Sequence, residues 1–387
     1  MEDEVRMFKD KLKTLSPEEI DSLYDQICLK LKLRDKPKKK FWFDRNITGL
    51  DADGKRLLNA MEKRLKDGNF GPSRIDMKQI GYLRKLDNMK IQVPSFYREV
   101  TEPKALYHRL ASFCQAHDIP EMIIGHIVPS LISYIETGRM RPLILVGEMG
   151  CGKTTALKLL VEEALQIPAC VVKVPQVDSS HGMTGHCGSF ANADVGILSK
   201  VRLRNNRLIN AYIFDEIDKA VRSGVHACVE DELLSVTDES INAISDNYLD
   251  VNIVALEHCP MFFTANNLKN INPILVDRCS VVEFPNADTA RIRSICSKYV
   301  KNKMSGSCYE LIEFDYGLMD KYIDILVESD VTSLRKHQQL IEKVLESALD
   351  KAFKSPGMGK TSVTEDMFIE SKDAILGITK RKIGFAS

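Results

Sequence analysis

The stretch Leu143-Ile144-Leu145-Val146-Gly147-Glu148-Met149-Gly150-Cys151-Gly152-Lys153-Thr154-Thr155 decides the reading of this chain. Four consecutive apolar residues without polar alternation predict a short strand buried on both faces. The next eight fit G-x-x-x-x-G-K-[ST], and Thr155-Ala156-Leu157-Lys158-Leu159-Leu160 opens a helix. A phosphate cradle needs this order of strand, glycine loop and helix. Gly147, Gly150 and Gly152 let backbone N–H groups wrap phosphate oxygens without Cβ clashes. Lys153 would neutralise β- and γ-oxygens, the Thr154 hydroxyl would bind Mg2+, and the phosphates would face the positive end of the helix. Glu148, Met149 and Cys151 fill the variable positions and Thr155 continues into the helix, so residues 147–155 are expected to bind ATP. A second G-K-T, at Gly357-Met358-Gly359-Lys360-Thr361, has Lys354 in place of the first glycine and no apolar strand before it, and reads as a loop.

Working outward, similar apolar runs occur at residues 170–174, 211–214, 261–264 and 280–284, most of them separated by helical patterns. Strands alternating with helices predict an α/β fold with a parallel sheet flanked by helices on both faces. The run Tyr212-Ile213-Phe214 leads into Asp215-Glu216-Ile217-Asp218. Acids at the C-terminal end of a strand stand where such sheets bind ligands. Asp215 would hold Mg2+, and Glu216 would polarise the water that attacks the terminal phosphate. Asp218 reads equally well as a structural partner of Lys219 or another neighbour.

The first hundred residues are rich in charge and look helical. Ser16-Pro17-Glu18-Glu19 is a good helix start, and residues 54–66 carry Leu57, Leu58, Met61 and Leu65 on one face. Pro94 and Pro103 punctuate an expected linker, and helical spacing resumes near Ala105 and again after Pro120. The expected domains are a charged N-terminal region over 1–100, a nucleotide-binding core over 101–300 and a helical lid over 301–387.

Composition narrows the function classes. Over 387 residues, 44% are apolar and 28% charged, the balance of a globular chain with a sizeable core. Lys and Arg total 54, as do Asp and Glu, so net charge gives no argument for nucleic acid or an anionic membrane. No apolar run approaches a membrane span, and the charged start Met1-Glu2-Asp3-Glu4 lacks the apolar stretch of a secretory signal. The ten cysteines form no C-x-x-C pair, so reduced thiols in a cytoplasmic setting are expected. His181 and His186, and His108 and His117, lack metal-binding spacing and read as ordinary polar positions. Lys30–Lys40 holds seven Lys or Arg and is followed by Phe41-Trp42-Phe43. Basic groups beside aromatics are one way to bind single-stranded nucleic acid; a solvated linker with docked aromatics is the other reading.

A Glu directly after the strand-end Asp resembles the AAA+ class of ATPases, and several stretches resemble the ATPase module of Lon proteases. Asp215-Glu216-Ile217-Asp218-Lys219 is similar to Lon's D-E-I-D-K, and Asp246-Asn247-Tyr248-Leu249-Asp250-Val251 to its D-H-Y-L-x-V. Phe262-Phe263-Thr264-Ala265-Asn266 is similar to F-I-A-T-A-N, and Pro273-Ile274-Leu275-Val276-Asp277-Arg278 to P-x-L-L-D-R. The order is Lon's, the spacing close to Lon's, and the resemblance covers roughly residues 120–350.

The resemblance implies a P-loop AAA+ fold and roles for single residues. Asn266 would orient the attacking water. Arg278 would act in trans on a neighbour's γ-phosphate, which implies a homo-oligomer, a hexamer by family. Ile124 and Gly125 fall where the family contacts adenine. Gly185-His186-Cys187-Gly188-Ser189-Phe190-Ala191-Asn192 resembles Lon's G-H-R-R-T-Y-I-G, so Phe190 takes the place of the pore aromatic that grips polypeptide, although Cys187 and Gly188 replace two arginines. The lid arginine of Lon corresponds to Thr332. Arg335, three residues on, either takes that role or is a surface residue. The chain ends at Ser387, where Lon's peptidase would begin, so no Lon-type protease activity is expected of it alone.

The function expected is an ATPase, Lon-like but peptidase-less, that unfolds or remodels polypeptides. The alternatives are a nucleic-acid-dependent motor or switch of a phage or defence type, motivated by Lys30–Trp42, and a nucleotide-gated scaffold.

Overall fold

The computed structural model describes residues 42–44, 47–67, 74–92, 95–96, 102–177, 181–186, 193–220, 229–238, 244–354 and 360–377. These fall into two compact units. One comprises the described residues of Met1–Val146 and Thr154–Glu283; the other those of Gly147–Lys153 and Phe284–Ser387.

The first unit is built on a parallel sheet. Its strands are β1 (Leu143–Val146), β2 (Ala169–Lys173), β3 (Ala211–Asp215), β6 (Met261–Ala265) and β7 (Ser280–Glu283), in the order β2-β3-β6-β1-β7. Two short strands, β4 (Ser245–Asp246) and β5 (Val251–Asn252), pair antiparallel as a separate two-stranded sheet. The inner strands are the solid apolar runs of the sequence, because helices cover both faces. Tyr212, Ile213, Phe214, Phe262, Phe263 and Ile144 are fully buried, and the Phe214 and Phe263 rings stack at 5.4 Å. Burying one such side chain is worth about 1.5–3 kcal/mol. The register Ile213↔Phe262 and Leu145↔Thr264 brings the C-terminal ends of β3, β6 and β1 side by side. Val146, Asp215 and Ala265 therefore stand at one end of the sheet, the end at which open α/β sheets bind ligands.

The described part of the charged N-terminal region packs within this same unit. Asp51 caps the helix Ala52–Lys66 by accepting from Gly54 N at 2.8 Å. Helix Arg74–Asp87 buries Ile80, Leu83 and Leu86, and Phe96 is buried near Tyr134 between the two prolines that the sequence marks as a linker.

Trp42 bears on the two readings of its segment. It is 4% exposed, donates its indole N–H to the Tyr134 carbonyl at 2.9 Å, and stacks on His258 at 4.2 Å. Phe43 is buried beside it. Neither aromatic is presented to a nucleic-acid base, and Lys30–Phe41 lies outside the described residues. For Trp42 and Phe43 the docked-aromatic reading is the one observed, and these two rings give no support to a nucleic-acid partner.

The second unit is helical. Helices Thr289–Met304, Tyr316–Glu328, Leu334–Lys354 and Glu365–Leu376 close around Ile292, Cys296, Ile323, Leu340, Ile341, Val344 and Phe368. Tyr322 and Phe368 stack at 5.1 Å. Asp288 and Asp315 cap the first two helices, accepting from Arg291 N and Leu318 N. Strands β8 (Ile312–Glu313) and β9 (Thr361–Ser362) pair in parallel, so Thr361 of the second G-K-T is strand rather than loop; Gly357–Gly359 lies outside the described residues. Among the described residues, no helix is long and apolar enough to cross a membrane.

Candidate functional site

The glycine loop is shaped by contacts within the second unit. Gly150 has φ +82°, a left-handed conformation that L side chains rarely adopt, and a Cβ there would collide with Ser333 Oγ. A Cβ on Gly147 would collide with the Phe284 carbonyl oxygen. The Lys153 ammonium is buried at the loop and donates to the Gly147 and Glu148 carbonyls at 2.7 and 2.8 Å. Cys151 is also buried, with Sγ 3.8 Å from Lys153 Nζ, while Met149 is exposed. The Arg291 guanidinium packs over the Phe284 ring at 5.1 Å, with Nη2 3.5 Å from the Cys151 carbonyl oxygen. Arg335 is exposed on the first turn of helix Leu334–Lys354, its Cβ 3.6 Å from where a Gly150 Cβ would stand.

The acids stand at the strand ends of the first unit. Asp215 Oδ1 accepts from the Thr154 hydroxyl and, at 2.7 Å, from the Thr264 hydroxyl. Glu216 has φ +60°; its N–H donates to Thr264 Oγ1 at 3.0 Å and its Oε1 lies 2.6 Å from Lys219 Nζ. Asp218 Oδ2 accepts from the Asn266 backbone N–H at 3.1 Å. Asp218 thus ties the end of β6 to the turn after β3, a structural pairing with Asn266 rather than with Lys219.

Residues 143–286 match the family described as "ATPase family associated with various cellular activities (AAA)". The chain carries a Lon-like AAA domain. A Lon protease of Leptospira interrogans is 26% identical over 341 residues, covering 84% of this chain and 39% of that one. A Lon protease homologue of Acanthamoeba polyphaga mimivirus is 25% identical over 210 residues, 52% of this chain and 20% of its own. A mitochondrial Lon homologue of Scheffersomyces stipitis is 31% identical over 172 residues, 43% and 15% of the two chains. The chain thus spans from 15% to 39% of the length of these relatives. A cryo-EM reconstruction of closed-state Hsp104 with ATPγS and FITC-casein gives a TM-score of 0.52 at 14% identity, covering 78% of this chain and 56% of that one, a likeness of fold.

In this AAA domain Arg278 is held within its own chain. Its Nη2 pairs with Asp238 Oδ2 at 2.8 Å and its Nη1 donates to the Leu234 carbonyl, both at the end of helix Val229–Thr237. The short helix Pro273–Arg278 is fixed at both ends. Asn272 caps it and is itself held by Glu230, and Arg141 donates to the Asp277 and Arg278 carbonyls.

Phe190, Cys187 and Gly188 lie outside the described residues, but the base of their loop is described. His186 N donates to the Asp194 carbonyl at 3.2 Å. Asp246, from the D-x-Y-L stretch, accepts from Gly196, Tyr248 and Leu249 N–H groups, and Asn247 bonds Thr184 and Gly185. That motif is therefore a brace. Burial pushes the Asp246 carboxyl up, opposed by these donors. Desolvation acts to raise the Asp194 carboxyl too, but Lys78 at 3.0 Å and Lys200 at 3.1 Å hold it below its usual range. Ile124 is buried at the start of helix Ile124–Thr137, and the Cα of Gly125 faces open space.

A hydroxyl and a carboxylate in mutual contact, Thr154 and Asp215, suit Mg2+, which keeps several waters and takes only one or two protein carboxylates. Among the described residues no three His, Cys, Asp or Glu side chains are grouped so that they could hold a metal. Sequence reasoning missed Thr264, Asp238 and Arg291, and named Lys219 as a partner for Asp218 where it pairs with Glu216. Thr264 alone left a signal, as a polar residue inside an otherwise apolar strand.

Proposed function

We propose that this chain is a Mg2+-dependent AAA ATPase that works in an oligomer to unfold or remodel a polypeptide client. The observation that carries the reading is the Thr154–Asp215 contact at the end of a strand-loop-helix phosphate cradle. Residues 147–155 would hold the phosphates, with Lys153 supplying the charge and Ile124 and Gly125 meeting adenine. Thr154 and Asp215 would hold Mg2+, which offsets charge on the phosphates. Glu216 would take the proton of the attacking water, and Asn266 would orient that water.

Arg278 would act on a neighbouring subunit's phosphate after leaving Asp238, which needs head-to-tail contacts. Arg335, close to Gly150 within its own unit, would serve as the lid arginine in place of Thr332. Residues 1–100 would choose clients, 101–300 would form the core and 301–387 the lid.

A polypeptide client is supported by the Lon relatives and by the casein in the Hsp104 reconstruction. Phe190 would grip it, since an aromatic makes apolar, sequence-tolerant contact. The test is ATP turnover with unfolded protein or single-stranded DNA, with Glu216→Gln as the blank. Stimulation by unfolded protein that disappears in Phe190→Ala is expected. Stimulation by DNA alone would overturn the choice of client.

A further inference from the structure

Strand β6 reads Met-Phe-Phe-Thr-Ala, and Thr264 is its one polar side chain, 1% exposed. In the register it follows Phe214↔Phe263, opposite the end of β3. Its hydroxyl makes two hydrogen bonds whose directions are fixed by chemistry. An ionised carboxylate only accepts and a backbone N–H only donates. Thr264 therefore gives its proton to Asp215 Oδ1 at 2.7 Å and takes that of Glu216 N at 3.0 Å.

We infer that the Thr264 hydroxyl is a positioning group that aligns Asp215 and Glu216 for ATP hydrolysis. The inference rests on the reading of those two acids as the metal-holding and water-polarising pair. Two hydroxyls, from Thr154 and Thr264, fall on the same carboxylate oxygen, which fixes the carboxylate's rotation and leaves Oδ2 for a metal. The second bond holds Glu216. That residue has φ +60°, a conformation that costs a non-glycine residue and persists only where its surroundings enforce it. Thr264 supplies an acceptor for its N–H and so fixes the direction in which the Glu216 side chain leaves the backbone.

A merely structural threonine predicts something different. Thr264→Val keeps the β-branch, the volume and the strand preference and removes only the hydroxyl, while Thr264→Ser keeps the hydroxyl and gives up the β-branch. The experiment measures steady-state turnover, thermal unfolding, and equilibrium binding of a fluorescent ATP analogue with Mg2+ and with EDTA, on the full chain. Expected for Thr264→Val is a loss of at least about tenfold in turnover, a reduced gain in affinity on adding Mg2+, and unchanged affinity in EDTA. Thr264→Ser should stay within about threefold of wild type in turnover, whatever its unfolding midpoint. If Thr264→Val fails to fold, Thr264→Cys, a weak donor of similar size, replaces it and should fall between the two.

Wild-type turnover and Mg2+ response in Thr264→Val would overturn the inference, as would equal losses in Val and Ser variants. If Glu216→Gln turns over normally or Mg2+ does not tighten wild-type binding, the reading of the acids falls and the inference falls with it. A dead Glu216→Gln beside a normal Thr264→Val sinks the Thr264 inference alone.

Discussion

The Lys219 ammonium lies 2.6 Å from Oε1 of Glu216, so the carboxylate proposed as the base is held in an ion pair by a side chain three residues on. Both partners are partly exposed, at 41% and 34%. Such pairs are worth about 0–1 kcal/mol and weaken with salt. The pair is a restraint that thermal motion breaks readily. Lys219→Gln should raise client-free ATP turnover by about two- to fivefold, since about 1 kcal/mol corresponds to roughly that factor. The rise should shrink at high ionic strength, where the wild-type pair is already screened. A drop in turnover would instead make Lys219 part of the catalytic arrangement.

Lys153→Ala and Glu216→Gln should separate binding from hydrolysis. Lys153 supplies the charge at the loop, so its loss should weaken ATP binding by about a hundredfold or more; ion-pair hydrogen bonds contribute about 1.5–3 kcal/mol each. Glu216→Gln should bind ATP normally, fail to turn it over, and stabilise the assembled oligomer. Isothermal titration and light scattering read both outcomes.

Arg278 and Asp238 form a second restraint within the chain. Arg278→Ala should abolish hydrolysis and spare binding, and mixed assemblies should lose more activity than the fraction of mutant subunits. Purely additive activity would refute a role in trans. Asp238→Asn should free Arg278 and lower the protein concentration at half-maximal specific activity.

His337 predicts a pH dependence of stability in the helical unit. Its ring is fully buried, Nε2 lies 2.8 Å from the Val331 carbonyl oxygen, and Nδ1 meets no hydrogen-bond partner among the described residues. Burial pushes its pKa down from 6.5, only partly opposed by the Val331 hydrogen bond. The unfolded chain therefore takes up a proton first as pH falls, and stability is lost from about pH 6.5 down to the lower folded value, levelling off below it. Thermal unfolding between pH 7.5 and 5 should show this loss, and His337→Gln should flatten it.

Much of the sheet and the cradle was legible because their signals are local. The runs at 143–146, 211–214 and 261–263 are apolar throughout because the sheet is covered on both faces. The loop carries its chemistry in eight consecutive residues. What could not be read is what the fold brings together from afar. Thr264 meets Asp215 across 49 positions and Arg278 meets Asp238 across 40. Nothing local distinguishes an arginine in trans from one stowed in cis. Trp42 was ambiguous for the same reason, since Tyr134, its hydrogen-bond partner, is 92 residues away. A basic run before aromatics looks alike whether the rings stack on bases or on a histidine.

Trp42 is the chain's single tryptophan. Buried against His258 and bonded to Tyr134, it makes the tryptophan emission of the chain a report from one junction. Undocking of the segment that carries it would expose the indole to water and shift its emission to the red, with the rest of the chain still folded. Attachment of the N-terminal region can therefore be followed during ATP turnover without any added label.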